Sequence, residues 1–333
     1  MAGGRLDIVP SHYSDLPGRL SRGEHRADVA LVLLSPPDAD GWHRLGCGDD
    51  FIAAAAKSAR TVIAEINPHV PAVSTATGFR TEELAAVVRT EGQLAEAPAA
   101  GEPSPTQLRI AARVAELVPD CATLQVGVGT LPTAILRALG EHRDLGVHSG
   151  LINDDLVALI ESGVITGRHK SLDRGRHVTA SLIGSQQVLS YGARNPAVEV
   201  RGISYVHDPA TLAAQHRLVA INSALQVDLT GQINTESIDG RYVGSVGGGI
   251  DFARGAVRSR GGLSIIALPA RSRAGSSIVG RLSGPASIPR ADADVVVTER
   301  GVAHLRGASL AQRRARLLAV CDPELADVVD RPA

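Results

Sequence analysis

The sequence predicts an α/β protein whose sheets are covered on both faces. Short runs of β-branched or leucine residues recur along the chain, and alanine-rich stretches of helical character separate them. Hydrophobic residues make up 44% of the 333, which supplies a core and argues against disorder. Strands are expected at 29–34, 61–66, 123–128, 177–182, 218–222, 263–268 and 294–298, each a short run rich in β-branched residues or leucine. Helices are expected at 50–59, 104–117, 133–139, 154–162 and 310–320. The stretch 93–105 is rich in Pro, Ala and Gly and reads as a linker, giving a first domain over 1–100 and a larger one over 101–333. Ser104 with Gln107 three residues on is a capping-box pattern for the first helix after it. No internal repeat at solenoid spacing is present.

Composition excludes several function classes. A net charge of -1 provides no global field for nucleic acid or an anionic membrane. No apolar run is long enough to span a bilayer, and Met1-Ala2-Gly3-Gly4-Arg5 lacks the layout of a signal peptide. Cys47, Cys121 and Cys321 are scattered without metal-ligand spacing, so a reduced, cytoplasmic setting and no metal are expected. Aromatics are 2% of the chain, too few for a base-stacking platform.

Three segments carry possible chemistry. In the first, a strand ends in Gly127-Val128-Gly129, and Thr130-Leu131-Pro132 follows where a helix opens. Such a turn brings backbone and helix N–H groups to a phosphate or an amide of a ligand, or is simply a tight turn. A dinucleotide site would want a third glycine where Pro132 stands, which disfavours NAD. The second is the loop from Gly244 through Gly247-Gly248-Gly249 to Ile250-Asp251-Phe252, which can aim N–H groups at a developing oxyanion. The third, from Asn222 through Leu225 to Glu236, reads as strand, turn, strand; Asn222 and Glu236 either bond a ligand or decorate a polar turn. His148 and His207 are candidate acid-base groups. No Gly-x-Ser-x-Gly elbow is present, which argues against a serine hydrolase.

Further segments are Ser35-Pro36-Pro37-Asp38-Ala39-Asp40-Gly41, Asn67-Pro68-His69-Val70-Pro71 and Val297-Thr298-Glu299-Arg300-Gly301-Val302-Ala303-His304-Leu305-Arg306-Gly307. With the glycine segments and Val147-His148-Ser149-Gly150, in this order, they resemble the acetyl-CoA hydrolase/transferase family, of the 4-hydroxybutyrate CoA-transferase type (class I), over nearly the whole chain. The resemblance implies two open α/β domains with acyl-CoA held between them. It implies CoA contacts at Val128, Gly129, Thr130, Leu131 and Pro132, and near Leu225, Gly244 and Gly248.

The family pattern is not kept throughout. Its covalent nucleophile is a glutamate after the His-Ser or His-Thr pair, and that position is Gly150 here. His207 stands where the family has an asparagine near substrate. Pro10 to Pro17 resemble a segment lying well inside family members, so a shortened N-terminal domain is expected, with an exposed edge covered in a homodimer or by a related chain. The expected function is an acyl-CoA-utilising enzyme in which an acceptor attacks the thioester directly, with Glu236, His207 or His148 as base. The alternative is a non-catalytic CoA-binding or partner subunit of a full-length CoA-transferase. A third alternative is that Glu236 or Glu199 replaces the nucleophile, with Glu236 better placed because Glu199 is expected on a surface edge.

Overall fold

Two parallel sheets form where the apolar runs predict strands. The computed structural model describes residues 7–73, 76–98 and 100–330. The start Met1-Ala2-Gly3-Gly4-Arg5, considered above for a leader, lies outside the described residues. After a short helix α1 (Leu16–Ser21), strands β1 (Val29–Leu34), β2 (Thr61–Ile66) and β3 (Ala86–Arg89) pair in parallel in the order β1-β2-β3. Val32, Leu34, Ala64 and Ile66 point into a small core with Ala53 and Ala56 of α2 (Ile52–Ser58). The opposite face of β1 is bare, with Val29, Leu31 and Leu33 at 52%, 78% and 37% exposure. Parallel sheets are ordinarily covered on both faces, so this is apolar surface available to a partner.

The larger unit begins at α3 (Pro105–Leu117). Its cap is the expected one: the Gln107 N–H donates to Ser104 Oγ at 3.3 Å, and the Ser104 N–H donates to Gln107 Oε1 at 2.9 Å. There follow β4 (Thr123–Val126), α4 (Thr130–Ala138), β5 (Gly146–Ile152), α5 (Asp154–Glu161), β6 (His177–Leu182), α6 (Gln186–Arg194), β7 (Val198–Val200), α7 (Ile203–Val206), α8 (Pro209–Ala214) and β8 (Leu218–Ser223). Next come α9 (Gly249–Arg258), β9 (Leu263–Ala267), β10 (Val295–Thr298), β11 (Gly301–His304) and α10 (Leu310–Ala319), and a last helical turn α11 (Ala326–Val329) closes the described chain. The eight strands lie in the order β11-β10-β9-β8-β4-β5-β6-β7, and only β11 runs antiparallel to its neighbour.

Alternation along β4 and β8 explains the two covered faces. Leu124, Val126, Val219 and Ile221 pack on α3 and α4 through Ile110, Val114, Ile135 and Leu136. Leu218 and Ala220 pack on α7 to α9 through Ile203, Leu212, Phe252 and Ala256. Each fully buried leucine or isoleucine contributes about 1.5–3 kcal/mol. The first unit docks on β6, where the Asp49 N–H donates to Ala180 O at 3.0 Å and the Leu182 N–H donates to Cys47 O at 2.7 Å. No helix among the described residues is long and apolar enough to cross a membrane.

Two boundaries differ from expectation for reasons of backbone geometry. β4 stops at Val126 because Gly129 takes φ 112°, a conformation reserved for glycine, and α4 starts at once with Pro132 tolerated in its first turn. The segment after Gly248 read as a loop, but it is the helix α9, whose Ile250, Ala253 and Ala256 recur at a helical interval and are buried.

Candidate active site

The chain enters the large sheet at β4, winds outward to β7, then returns to β8 on the other side of β4. Ligands of open α/β sheets bind beyond the carboxyl ends of the strands where the order reverses, which here is β4 and β8. A pocket of about 220 Å³ opens at that edge, lined among others by Gly127, Gly150, Ser181, His207, Gly248 and Phe252. A wider groove of about 430 Å³ adjoins it through Val128, Leu151 and Ile183. The groove meets the N-terminal ends of α4, α5 and α6 at Gly129, Asn153 and Ser185. At α5 and α6 the first-turn N–H groups are capped by Asn153 and Ser185, and Glu96, Asp154, Asp155 and Arg137 line the groove, so it offers no net positive field.

His207, the C-cap of α7, is the one histidine among the residues lining the pocket. Its ring sits edge-on to Phe252 at 4.5 Å and to Tyr13 at 5.2 Å between centroids. Nε2 lies 3.3 Å from the point that a Cβ on Gly150 would occupy. Nδ1 lies 3.4 Å from Asp251 Oδ2, close enough for charge attraction but not aligned as a hydrogen bond. Both ring nitrogens are buried with no hydrogen-bond partner among the described residues.

The groups behind this ring come from the far end of the chain. The Ser14 N–H and hydroxyl donate to Asp251 at 3.1 and 2.7 Å. The Tyr13 hydroxyl donates to Asp50 at 2.7 Å, and burial together with that carboxylate pushes the phenol far above its ordinary pKa. Gly248 has an ordinary φ of -96°, so its lack of a side chain matters for space. A Cβ there would stand 2.6 Å from His207 Nδ1 and closer still to Cε1.

The other candidate residues divide around this pocket. Gly249 lines it as the first residue of α9, and Gly247, at φ 57°, accepts the Tyr13 N–H at 3.3 Å. Val128 is exposed at the pocket mouth and Gly129 lines the groove; Thr130 opens α4, whereas Leu131 and Pro132 are buried under it. Asn222 forms a reciprocal amide pair with Gln125, a pocket residue, at 3.1 and 3.3 Å. The Leu225 N–H is spent on Asn234 O, and the Gly244 N–H on Glu236 O.

Glu236 and His148, the other candidate bases, are placed away from this pocket. Neither is among the residues lining the pocket. Glu236 is buried and its Oε1 accepts the Ser287 hydroxyl at 2.7 Å. His148 is fully buried, its Nδ1 3.0 Å from the Gln215 amide and its Nε2 3.0 Å from Val206 O, so both nitrogens are engaged. Glu199 lies on the edge strand β7 but is buried, paired with Arg201 and, at 3.5 Å, with Arg176. Ser14, Tyr13 and Asp50 were not among the candidate site residues, although Tyr13 and Ser14 lie in the Pro10 to Pro17 segment that resembles the family.

Burial drives the His148 pKa down to about 3 and that of His177 down to about 4. Unfolded histidine titrates near pH 6.5, so below that value the unfolded chain binds more protons than the native one. Their contribution is therefore fully present above about pH 6.5 and is lost as the pH falls toward 4. The urea midpoint should be lower at about pH 5 than at pH 7; a flat midpoint over this range would reject the assignment.

Comparison with known proteins matches the acetyl-CoA hydrolase/transferase N-terminal domain over residues 1–82 and the C-terminal domain over residues 184–331. The 4-hydroxybutyrate coenzyme A transferase of Clostridium kluyveri is 35% identical over 329 residues, covering 96% of this chain and 76% of the relative. The chain belongs to the acetyl-CoA hydrolase/transferase family. Solved structures of the family agree. RipA from Yersinia pestis superposes with a TM-score of 0.92 at 38% identity, covering 97% of this chain and 74% of that one. The 4-hydroxybutyrate CoA-transferase from Porphyromonas gingivalis superposes with a TM-score of 0.87 at 34% identity, covering 97% and 78%. The CoA-transferases of this family act on acyl-CoA, and its two-sided α/β architecture is the one seen here.

Proposed function

We propose that this chain is an acyl-CoA-utilising enzyme in which an acceptor attacks the thioester directly, without a glutamyl-CoA intermediate. One observation carries the reading: Gly150 and the Gly248-Gly249 start of α9 meet in a single pocket with a buried histidine whose ring nitrogens make no hydrogen bond among the described residues. The adjoining groove fits the pantetheine arm, with the thioester at its inner end. First-turn N–H groups of α9 face the carbonyl oxygen and stabilise the charge that develops on it. Gly150, at the family's nucleophile position by resemblance, has no group to attack with, so His207 receives the acceptor's proton.

The test is turnover of a panel of acyl-CoAs followed by intact-protein mass spectrometry. Release of CoA with no covalent adduct on the chain is the expected result. A CoA adduct rejects direct attack. CoA binding without turnover by the isolated chain would leave the partner-subunit reading in its place.

We also propose that a second copy of this chain covers the bare face of β1, whose Val29, Leu31 and Leu33 form an apolar row. Sedimentation at micromolar concentration should show a dimer, and a monomer rejects this. The free state of Cys47, Cys121 and Cys321 supports a cytoplasmic setting.

A further inference from the structure

We propose that Asp251 and His207 act as a proton-accepting pair that serves an uncharged acceptor, water above all. This rests on the reading that the pocket handles an acyl-CoA thioester. The first support is the construction of the pair. His207 is 3% exposed and Asp251 is 6% exposed. The carboxylate is held by Ser14 through two donors, and Oδ2 stands 3.4 Å from Nδ1. A carboxylate on that side favours the tautomer with the proton on Nδ1, which leaves the Nε2 lone pair for the space over Gly150.

The second support is the charge of the walls. Among the described residues lining the pocket there is no lysine or arginine, and the one carboxylate is Asp50. Asp50 already accepts the Tyr13 hydroxyl and the Phe51 N–H. An anionic acceptor entering this pocket would shed water beside a carboxylate and apolar walls and find no counter-charge. A neutral acceptor meets no such penalty, and the same argument favours an uncharged acyl chain. The other titratable groups near His207 add no positive charge. Tyr13 stays protonated, and burial keeps His148 on β5 neutral.

The step balances without a further reactant. The water oxygen bonds to the carbonyl carbon as one water proton passes to Nε2. The carbonyl electron pair moves onto oxygen, facing the N–H groups of α9. That oxyanion then collapses, the carbon–sulfur bond breaks, and the thiolate takes the proton back from Nε2. The products are a carboxylic acid and CoA thiol. Asp251 touches none of the reacting atoms and is a positioning residue.

The experiment compares wild type, Asp251→Asn and His207→Asn with acetyl-CoA, butyryl-CoA and succinyl-CoA, with and without acetate, alongside calorimetric CoA binding and thermal unfolding. In wild type, CoA release from acetyl-CoA and butyryl-CoA should need no acetate and exceed release from succinyl-CoA. Asp251→Asn should lower kcat by about 10- to 100-fold with KM changed less than about twofold, and move the acid limb of kcat/KM to lower pH. His207→Asn should lower kcat by about 10²- to 10⁴-fold and abolish that limb. Both variants should keep CoA affinity and melting temperature. Acetate-dependent turnover in wild type, or an Asp251→Asn defect seen only as a lower melting temperature with the limb unmoved, overturns the pair. A wild-type chain that binds no CoA or turns over no thioester instead defeats the reading of the pocket beneath it.

Discussion

Gly150→Glu is expected to create CoA transfer to acetate, raising its rate by about 10²-fold or more. Removing a covalent nucleophile from an enzyme built around one costs up to about 10⁶-fold, so even a poorly placed carboxylate should register. The backbone accepts the change, because Gly150 lies outside the left-handed region. The new Cβ would sit 3.3 Å from His207 Nε2 and 3.8 Å from the Phe252 ring, so the imidazole must yield by a few tenths of an ångström. Pairing the change with His207→Asn relieves that contact and should raise transfer further. Initial rates with acetyl-CoA and labelled acetate measure the gain, and intact mass reports the glutamyl-CoA adduct. If neither variant transfers CoA, the pocket no longer orients a carboxylate for attack, and the assignment of Gly150 to the nucleophile position loses its functional meaning.

Gly248→Ala should lower kcat by about 10²-fold while leaving the chain folded. The added methyl would enter the His207 imidazole, standing 2.6 Å from Nδ1, and the ring is closed in by Tyr13 and Phe252. It can yield only by turning away from Asp251 or from Gly150. Overpacking of this kind costs about 1–3 kcal/mol, which a chain of this size survives. Urea unfolding together with kcat separates the outcomes. Full activity with a normal midpoint would mean that the base is not His207.

Much of the frame was legible in the chain. Val29–Leu34 is a continuous apolar run and Thr61–Ile66 a β-branched-rich one carrying Glu65, and both form strands with the expected bounds. Ser104 with Gln107 makes the expected cap. These are local signals, fixed by neighbours in sequence. α9 escaped because its glycine-rich entry reads as a loop, although burial of Ile250, Ala253 and Ala256 pays out a helical period once the sheet is in place. The site was legible only in parts. Gly150, His207 and Gly248 each drew notice, but their meeting depends on which strands neighbour which, and no spacing rule reports that. Glu236 and His148 drew equal notice, and nothing local showed that Ser287, Gln215 and Val206 occupy them. Ser14 and Tyr13 act wholly through contacts with residues far along the chain.

The bond from Ser14 to Asp251 spans 237 residues. Closing so long a loop is entropically late, since it gains nothing until both ends are already organised. The large sheet and its helices can therefore assemble and still be inert. On the proposed reading of the pocket, activity would belong to the finished chain and should return last during renaturation.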